Sequence, residues 1–66
     1  MNKKLKSRIF EVYGTQYEFS KAVDVHETLV SRVVRGSREI PDAEKKRWAT
    51  FLNADAAEIF AGGRSA

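Results

Sequence analysis

The chain has 66 residues, enough for one small domain, and 42% of them are apolar, which is typical of a folded core and not of a disordered tail. Twelve Lys and Arg against nine Asp and Glu give a formal net charge of +3, which favours an anionic partner but also fits a solvated basic surface. The lack of cysteine excludes a disulfide framework and a thiolate zinc site, and no apolar run reaches the length of a membrane span.

The first predicted helix covers residues 3–13. Its inner face is formed by apolar residues at helical spacing, which are Leu5, Ile9, Val12 and Tyr13. Gly14 then ends the helix. Because the lysine-rich start MNKKLK leads into this amphipathic pattern and not into an apolar run, it is unlike a signal peptide, and we expect a cytoplasmic protein.

The second predicted helix covers residues 16–22 and the third covers about 26–35. Thr15 followed three residues later by Glu18 is a capping-box pattern, which begins the second helix. Gly36 supplies a left-handed residue that ends the third helix, whose inner face is formed by Val30, Val33 and Val34. Since only three residues connect the two helices, they meet at a steep corner, which is typical of a helix-turn-helix.

A fourth helix is predicted for residues 42–53, after Pro41, which suits a first helical turn. Its apolar residues are interpreted as core, and they are Trp48, Phe51 and Leu52. A fifth helix is predicted for residues 55–61, with a frayed tail at 62–66. In the fifth helix, Ile59 and Phe60 either complete the core or meet a second subunit. The sequence therefore predicts an all-α domain of five short helices.

The outer face of the third helix is polar. It carries hydrogen-bonding side chains and no bulky apolar one, and its members are His26, Glu27, Thr28, Ser31, Arg32 and Arg35. A helix with such a face fits the major groove of B-DNA, where base edges offer acceptors to Arg and mixed partners to Ser, Thr and His.

The stretch TQYEFSKAVDVHETLVSRVVRG resembles the helix-turn-helix of the phage repressor and Cro-like family of bacterial DNA-binding proteins, also called the xenobiotic-response-element family. The similarity rests on the Thr-Gln pair that opens the second helix, the small Ser20, the inner Val30 and Val33, and the Ser-Arg and Arg-Gly pairs that follow. The flanking helices also lie where that family has them. The resemblance implies a compact, five-helix, lambda-repressor-like DNA-binding domain that spans residues 1–66.

The resemblance also implies roles for individual residues. It places base-contacting candidates on the third helix and at its start, which are His26, Glu27, Thr28, Ser31 and Arg32. It places phosphate-contacting candidates at the start of the second helix, at the end of the third and in the loop that follows, which are Thr15, Gln16, Arg35, Ser37 and Arg38.

Two positions depart from the family's pattern. Position 24 is usually glycine because the turn needs a left-handed backbone, and Asp24 is one of the few other residue types that adopts it at tolerable cost. Val34 stands where many relatives carry an acidic residue. This predicts apolar packing of the third helix against the first in place of a buried ion pair.

Several candidates have a second interpretation. His26 is a DNA contact or a plain surface residue, and with no Cys or second His beside it we expect no metal site. Glu27 accepts from a cytosine amino group or stabilises the helix dipole. Arg32 reads guanine, binds a phosphate or stays solvated. The basic residues of the first helix touch a DNA backbone or are solvated, and they are Lys3, Lys4, Lys6 and Arg8.

These features predict a sequence-specific DNA-binding transcriptional regulator, repressor-like and of phage or mobile-element type. One recognition helix reads only a few base pairs, so we expect a homodimer on a palindromic operator with half-sites about 34 Å apart, and the dimer-interface candidates are Ile59 and Phe60. The alternative is an antitoxin-like or adaptor protein-interaction module that keeps the fold without strong DNA binding. Without a carboxylate pair, an activated nucleophile or a phosphate-cradling glycine loop, we expect no enzyme, no cofactor and no small-molecule ligand.

Overall fold

The computed structural model describes residues 1–61, which form five α-helices and no strand. The helices are α1 (Lys3–Tyr13), α2 (Gln16–Ala22), α3 (Glu27–Arg35), α4 (Asp42–Phe51) and α5 (Ala56–Ala61). The predicted all-α class is confirmed, and each predicted helix is present with bounds that differ by two residues or fewer. The tail predicted to be frayed lies outside the described residues. None of the helices in residues 1–61 is long and apolar enough to cross a membrane.

The first two helices begin at side chains that accept a hydrogen bond from the first turn. The Asn2 side-chain oxygen accepts from the Leu5 amide at 3.1 Å. The Thr15 hydroxyl oxygen accepts from the Glu18 amide, also at 3.1 Å, as the capping-box pattern predicted. Each bond satisfies a backbone donor that the helix itself leaves without a partner, so the sequence defines where both helices start.

The corner between α2 and α3 is a left-handed turn centred on Asp24. Asp24 has φ of 59°, its amide donates to the Lys21 carbonyl at 3.2 Å, and the Val25 amide donates to the Ser20 carbonyl at 3.0 Å. This pair of bonds is the Schellman motif, which requires left-handed backbone at the position that Asp24 occupies. The left-handed conformation predicted for Asp24 is therefore confirmed.

The same motif ends α3 and α4. Gly36 has φ of 84° and Asn53 has φ of 54°, and the corresponding pairs of backbone hydrogen bonds close both helices. Asparagine enters the left-handed region more readily than most residues other than glycine. Because Asn53 does so, α4 ends at Phe51, and the predicted end at residue 53 is two residues too late.

A row of aromatic rings runs through the core. Phe19 meets Trp48 edge to face, with ring centroids 5.2 Å apart and an interplanar angle of 83°. Tyr13 lies 5.4 Å from Phe19 on one side, and Phe60 lies 6.4 Å from Trp48 on the other. The row links α1, α2, α4 and α5. Contacts between aromatic rings stabilise the fold by more than the burial of their apolar surface alone. The prediction that Trp48 and Leu52 are core residues is confirmed, since both are fully buried.

Two residues predicted to face the core are exposed. Phe51 is 37% exposed, because Leu52, four residues after Trp48, occupies the buried face of α4. The Phe51 ring instead lies against the Arg47 guanidinium, whose Cζ is 5.8 Å from the centroid of the ring. Val12 is 43% exposed, at the margin of the apolar face of α1. Both predictions were wrong because helical spacing indicates a face but does not give its width.

The residues proposed for a dimer interface lie in the core of their own chain. Ile59 is 4% exposed and Phe60 is 8% exposed. Their burial favours the alternative in which they complete the core. A subunit interface built from these two side chains stays a prediction, because little of either side chain is exposed to meet a second subunit.

Asn2 connects three helices at one end of the molecule. The backbone amide of Asn2 donates to the Val34 carbonyl at 2.7 Å, and its side-chain Nδ2 donates to the Ile59 carbonyl at 2.8 Å. Val34 itself is 2% exposed, and α1 packs against α3, in agreement with the apolar packing predicted for this position. The start of α1 therefore holds the ends of α3 and α5 together.

Glu44 and Arg47 form a two-point ion pair on α4. The Glu44 carboxylate accepts from Arg47 Nη2 at 2.6 Å and from Nε at 3.1 Å, and it also accepts from the Trp48 indole at 3.3 Å. The hydrogen bonds from Arg47 lower the pKa of Glu44, partial burial opposes that effect, and the Arg47 charge and the Trp48 indole add to the lowering.

Replacement of Asp24 tests the cost of its left-handed backbone. Asp24→Gly should raise the free energy of unfolding by about 0.5–1 kcal/mol because glycine enters this region without strain. Asp24→Ala, the control that removes the same carboxylate, should lower it by about 1 kcal/mol. Urea denaturation of the three proteins measures both changes. Equal effects of the two substitutions would show that the carboxylate, and not the backbone conformation, decides stability here.

Replacement of Glu44 tests the ion pair through its pH dependence. Because the folded protein lowers the pKa of Glu44, the ionised carboxylate stabilises the fold at pH values above 4.5, which is the ordinary pKa of this group. That contribution is lost as the pH falls through the lowered pKa. Glu44→Gln keeps an acceptor for Trp48 but removes the charge. It should therefore be less stable than the wild type at neutral pH and approach it in acid, as measured by thermal unfolding. A stability difference that stays constant with pH would contradict the assignment.

Candidate functional site

The third helix divides into a buried and an exposed face, as predicted. Val30, Val33 and Val34 are buried. On the other side, the exposed positions are His26, Glu27, Thr28, Arg32 and Arg35, and Ser31 is half-buried. The five base-contacting candidates thus lie on α3 or at its N-cap, where the three valines hold the backbone against the core and leave most of the polar side chains in solvent.

Three guanidinium groups lie on or just after α3. Arg32, Arg35 and Arg38 are exposed, and in the described part of the chain none of them has a carboxylate within 4.0 Å. A guanidinium without an ion-pair partner keeps its planar set of donors available for an anion or for a pair of acceptors. The end of α3 therefore carries positive charge that the fold itself does not neutralise.

Arg35 and Arg38 open onto one cleft of about 250 Å³. The cleft is lined by the end of α3, the loop that follows it, the first two residues of the chain, α4 and α5, and its apolar lining includes Ile40 and Phe60. Lys45 also lines it, but its amine is held by Glu39 at 3.5 Å and by Asp42 at 4.0 Å. Two of the residues predicted to contact phosphate thus line the same concave surface.

Ser37 and Glu27 lie at the two ends of α3, and local hydrogen bonds fix Ser37. The Ser37 amide and hydroxyl both donate to the Arg32 carbonyl, at 3.0 Å and 3.3 Å, and this fixes the first residue of the loop. Glu27 lies in the first turn, where a carboxylate is favoured by the helix dipole. The exposed carboxylate also remains able to accept a hydrogen bond from a ligand, so both interpretations of Glu27 stand.

Thr15 and Gln16 lie at the start of α2, away from the α3 set in sequence. Thr15 is exposed and its hydroxyl oxygen is the N-cap acceptor, so the hydroxyl proton is left for an outside partner. Gln16 is half-buried as the first residue of the helix. Among the described residues, no side-chain hydrogen bond or ion pair joins this pair to α3, and the two sets form separate parts of the candidate site.

Arg8 has a structural role that the sequence did not reveal. Its Nε donates to the Leu52 carbonyl at 2.8 Å, and its Nη2 donates to the Asn53 carbonyl at 2.9 Å. Its third nitrogen pairs with Glu11 at 3.2 Å. Arg8 therefore satisfies carbonyls that the end of α4 leaves open, and each of its three nitrogens makes a hydrogen bond within the protein. Of the two interpretations of the basic first helix, neither a DNA contact nor simple solvation describes this residue.

Comparison with known proteins adds no relative. The chain matches no protein-family model, no curated protein and no solved structure.

Removal of the Arg8 guanidinium should weaken the fold. Arg8→Ala removes two hydrogen bonds to helix-end carbonyls, and because the side chain is about one-third exposed we expect a loss of about 1–2 kcal/mol of unfolding free energy. Lys4→Ala is the matched control, since it removes the same charge from an exposed position on the same helix. It should change stability by less than about 0.5 kcal/mol. Equal stability of the two variants in urea denaturation would show that the hydrogen bonds from Arg8 to the end of α4 do not stabilise the fold.

Proposed function

We propose that this chain is a sequence-specific DNA-binding regulator in which α2, the corner at Asp24 and α3 form a helix-turn-helix. The observation that carries the proposal is the exposed face of α3, which presents only hydrogen-bonding side chains. Two of them are arginines, and neither has an ion-pair partner in residues 1–61. The buried valines beneath that face hold the helix backbone against the core, so the positions from which the exposed side chains project are fixed.

The dimensions of α3 suit the major groove. An α-helix with its side chains is about 10–12 Å across, and the major groove of B-DNA is about 12 Å wide. In docking of this type the first turns of the recognition helix meet the base edges. Those turns carry His26, Glu27, Thr28, Ser31 and Arg32.

Within this arrangement the side chains have distinct chemistry. Arg32 offers two donors to guanine O6 and N7, and Glu27 offers an acceptor to cytosine N4. Arg35 and Arg38, which share the cleft at the end of α3, supply phosphate contacts. Thr15 and Gln16 supply further phosphate contacts from the start of α2. Since one such helix reads few base pairs, the proposal includes a homodimer on a palindromic operator.

A protein-interaction module is the second candidate, and one observation favours it. Three exposed aromatic side chains lie outside the α3 face: Tyr17, Phe10 and Phe51 are 52%, 43% and 37% exposed. Aromatic side chains of this kind are enriched at protein interfaces. The carboxylates of Glu27, at the start of α3, and Asp24, at the corner before it, also oppose the approach of phosphates. The DNA-binding experiment separates the two candidates.

The test is selection of a binding site from random duplexes, followed by fluorescence anisotropy over a salt series. We expect an enriched palindromic site that is bound at least about a thousandfold more tightly than scrambled DNA, with a steep salt dependence. Sedimentation of the protein with this duplex should show two chains per site. No enrichment and only weak binding to all sequences would reject the regulator and favour the interaction module.

Substitution of individual arginines separates base contacts from phosphate contacts. Arg32→Ala should weaken binding to the enriched site by about 1–3 kcal/mol and leave scrambled DNA nearly unaffected. Arg35→Ala should weaken binding to all sequences and reduce the salt slope by about one. Lys46→Ala, which removes an exposed positive charge on α4, is the matched control and should change neither quantity appreciably. Equal losses for Arg32→Ala on enriched and scrambled DNA would contradict its base-reading role.

A further inference from the structure

The start of α3 depends on an imidazole. His26 is the N-cap residue, and its Nδ1 accepts a hydrogen bond from the Thr28 amide at 3.2 Å. A backbone amide can only donate, so Nδ1 carries no proton while this bond exists. A neutral imidazole bears one proton on its two nitrogens, and the proton of His26 is therefore on Nε2.

The protonated nitrogen is available to a ligand. His26 is exposed, and none of the hydrogen bonds among the described residues uses Nε2. Because the cap bond holds the ring by its other nitrogen, the orientation of the Nε2–H group is set before any ligand arrives. His26 thus presents one fixed donor, whereas a free histidine side chain changes tautomer and offers either a donor or an acceptor.

We propose that His26 contacts DNA as a neutral donor of fixed tautomer, giving its Nε2–H to a hydrogen-bond acceptor. This inference rests on the proposed DNA-binding function and assigns the chemistry of one contact within it. In the major groove the acceptors are purine N7, guanine O6 and thymine O4, and the phosphate oxygens offer the same chemistry on the backbone. His26 does not accept from the amino groups of cytosine or adenine, because its only free nitrogen atom is already protonated.

Substitution by serine isolates this donor from the cap. Serine is a strong N-cap residue, so His26→Ser keeps an acceptor for the Thr28 amide and removes the imidazole. We expect binding to the enriched site to fall roughly two- to tenfold, the range for one lost hydrogen bond. The salt slope should stay that of the wild type, because a neutral donor displaces no counterion. Thermal unfolding of the variant checks that the fold is retained.

Two results of that experiment would overturn the proposal. Unchanged affinity would show that the imidazole makes no contact. A salt slope reduced by about one, as expected for Arg35→Ala, would show that His26 binds as a cation. In contrast, a weaker complex with the wild-type salt slope supports the neutral donor.

Duplexes that lack single acceptor atoms identify the partner. Suitable replacements are 7-deazapurines for N7, 2-aminopurine for guanine O6, 5-methyl-2-pyrimidinone for thymine O4 and methylphosphonates for phosphate oxygens. At one position the replacement should weaken binding of the wild type and have no further effect on His26→Ser, which is the signature of direct coupling. A coupled base and a coupled phosphate both support the donor and distinguish its two sources, whereas coupling at no position overturns it.

The tautomer is measured without DNA. The chain has one histidine, so long-range proton–nitrogen correlation spectra at mildly alkaline pH report its ring directly. The pattern of an Nε2–H imidazole is expected, and that of an Nδ1–H imidazole would overturn the inference. If the wild type bound no duplex, the proposed function would fail and the DNA role of His26 with it. If only the His26 effects were missing, the proposed function would stand.

Discussion

Two backbone hydrogen bonds, from Val25 to the Ser20 carbonyl and from Asp24 to the Lys21 carbonyl, close the end of α2 and reverse the hand of the backbone at one residue. If Asp24 kept the right-handed conformation, α2 would continue and the chain would not turn. The valine face of α3 would then not reach the core, and its polar face would not be held outward. The fold and the candidate site consequently depend on the same left-handed residue.

The other helix ends show how a small chain compensates for a small core. A domain of this size buries a limited share of its surface, so open carbonyls at helix ends are costly relative to the total stability. Gly36 and Asn53 close α3 and α4 by the same motif as Asp24. Around the end of α4, Arg8 donates to the carbonyls of residues 52 and 53, and the Tyr13 hydroxyl donates to the carbonyl of residue 51 at 2.9 Å. These polar contacts therefore position the end of α4, and the buried Trp48 packs the helix against the core.

Much of this architecture could be predicted because its causes are local. Periodicity and caps located five helices, and the left-handed propensity of Asp24 and Gly36 located two of their ends. The errors have tertiary causes. Phe51 and Val12 lie at the margins of apolar faces, whose width depends on the neighbouring helix. Arg8 acts on carbonyls more than forty residues away, and no local pattern indicates which basic side chain will find them. The candidate α3 face could be predicted as a set, but the engagement of each side chain could not.

His26 and Thr15 illustrate how helix starts connect folding with recognition. In each case the acceptor atom is bound to an amide of the first turn, at 3.2 Å and 3.1 Å, so the bond restricts the rotation of the whole side chain. Binding to such a group costs less side-chain entropy than binding to a free side chain, because the protein side chain is already ordered. Arg32 differs, since its exposed guanidinium has no ion-pair partner in residues 1–61 and must be ordered on binding. The N-cap residues therefore suit contacts that fix the position of the protein on a ligand, and the arginines suit contacts that supply affinity.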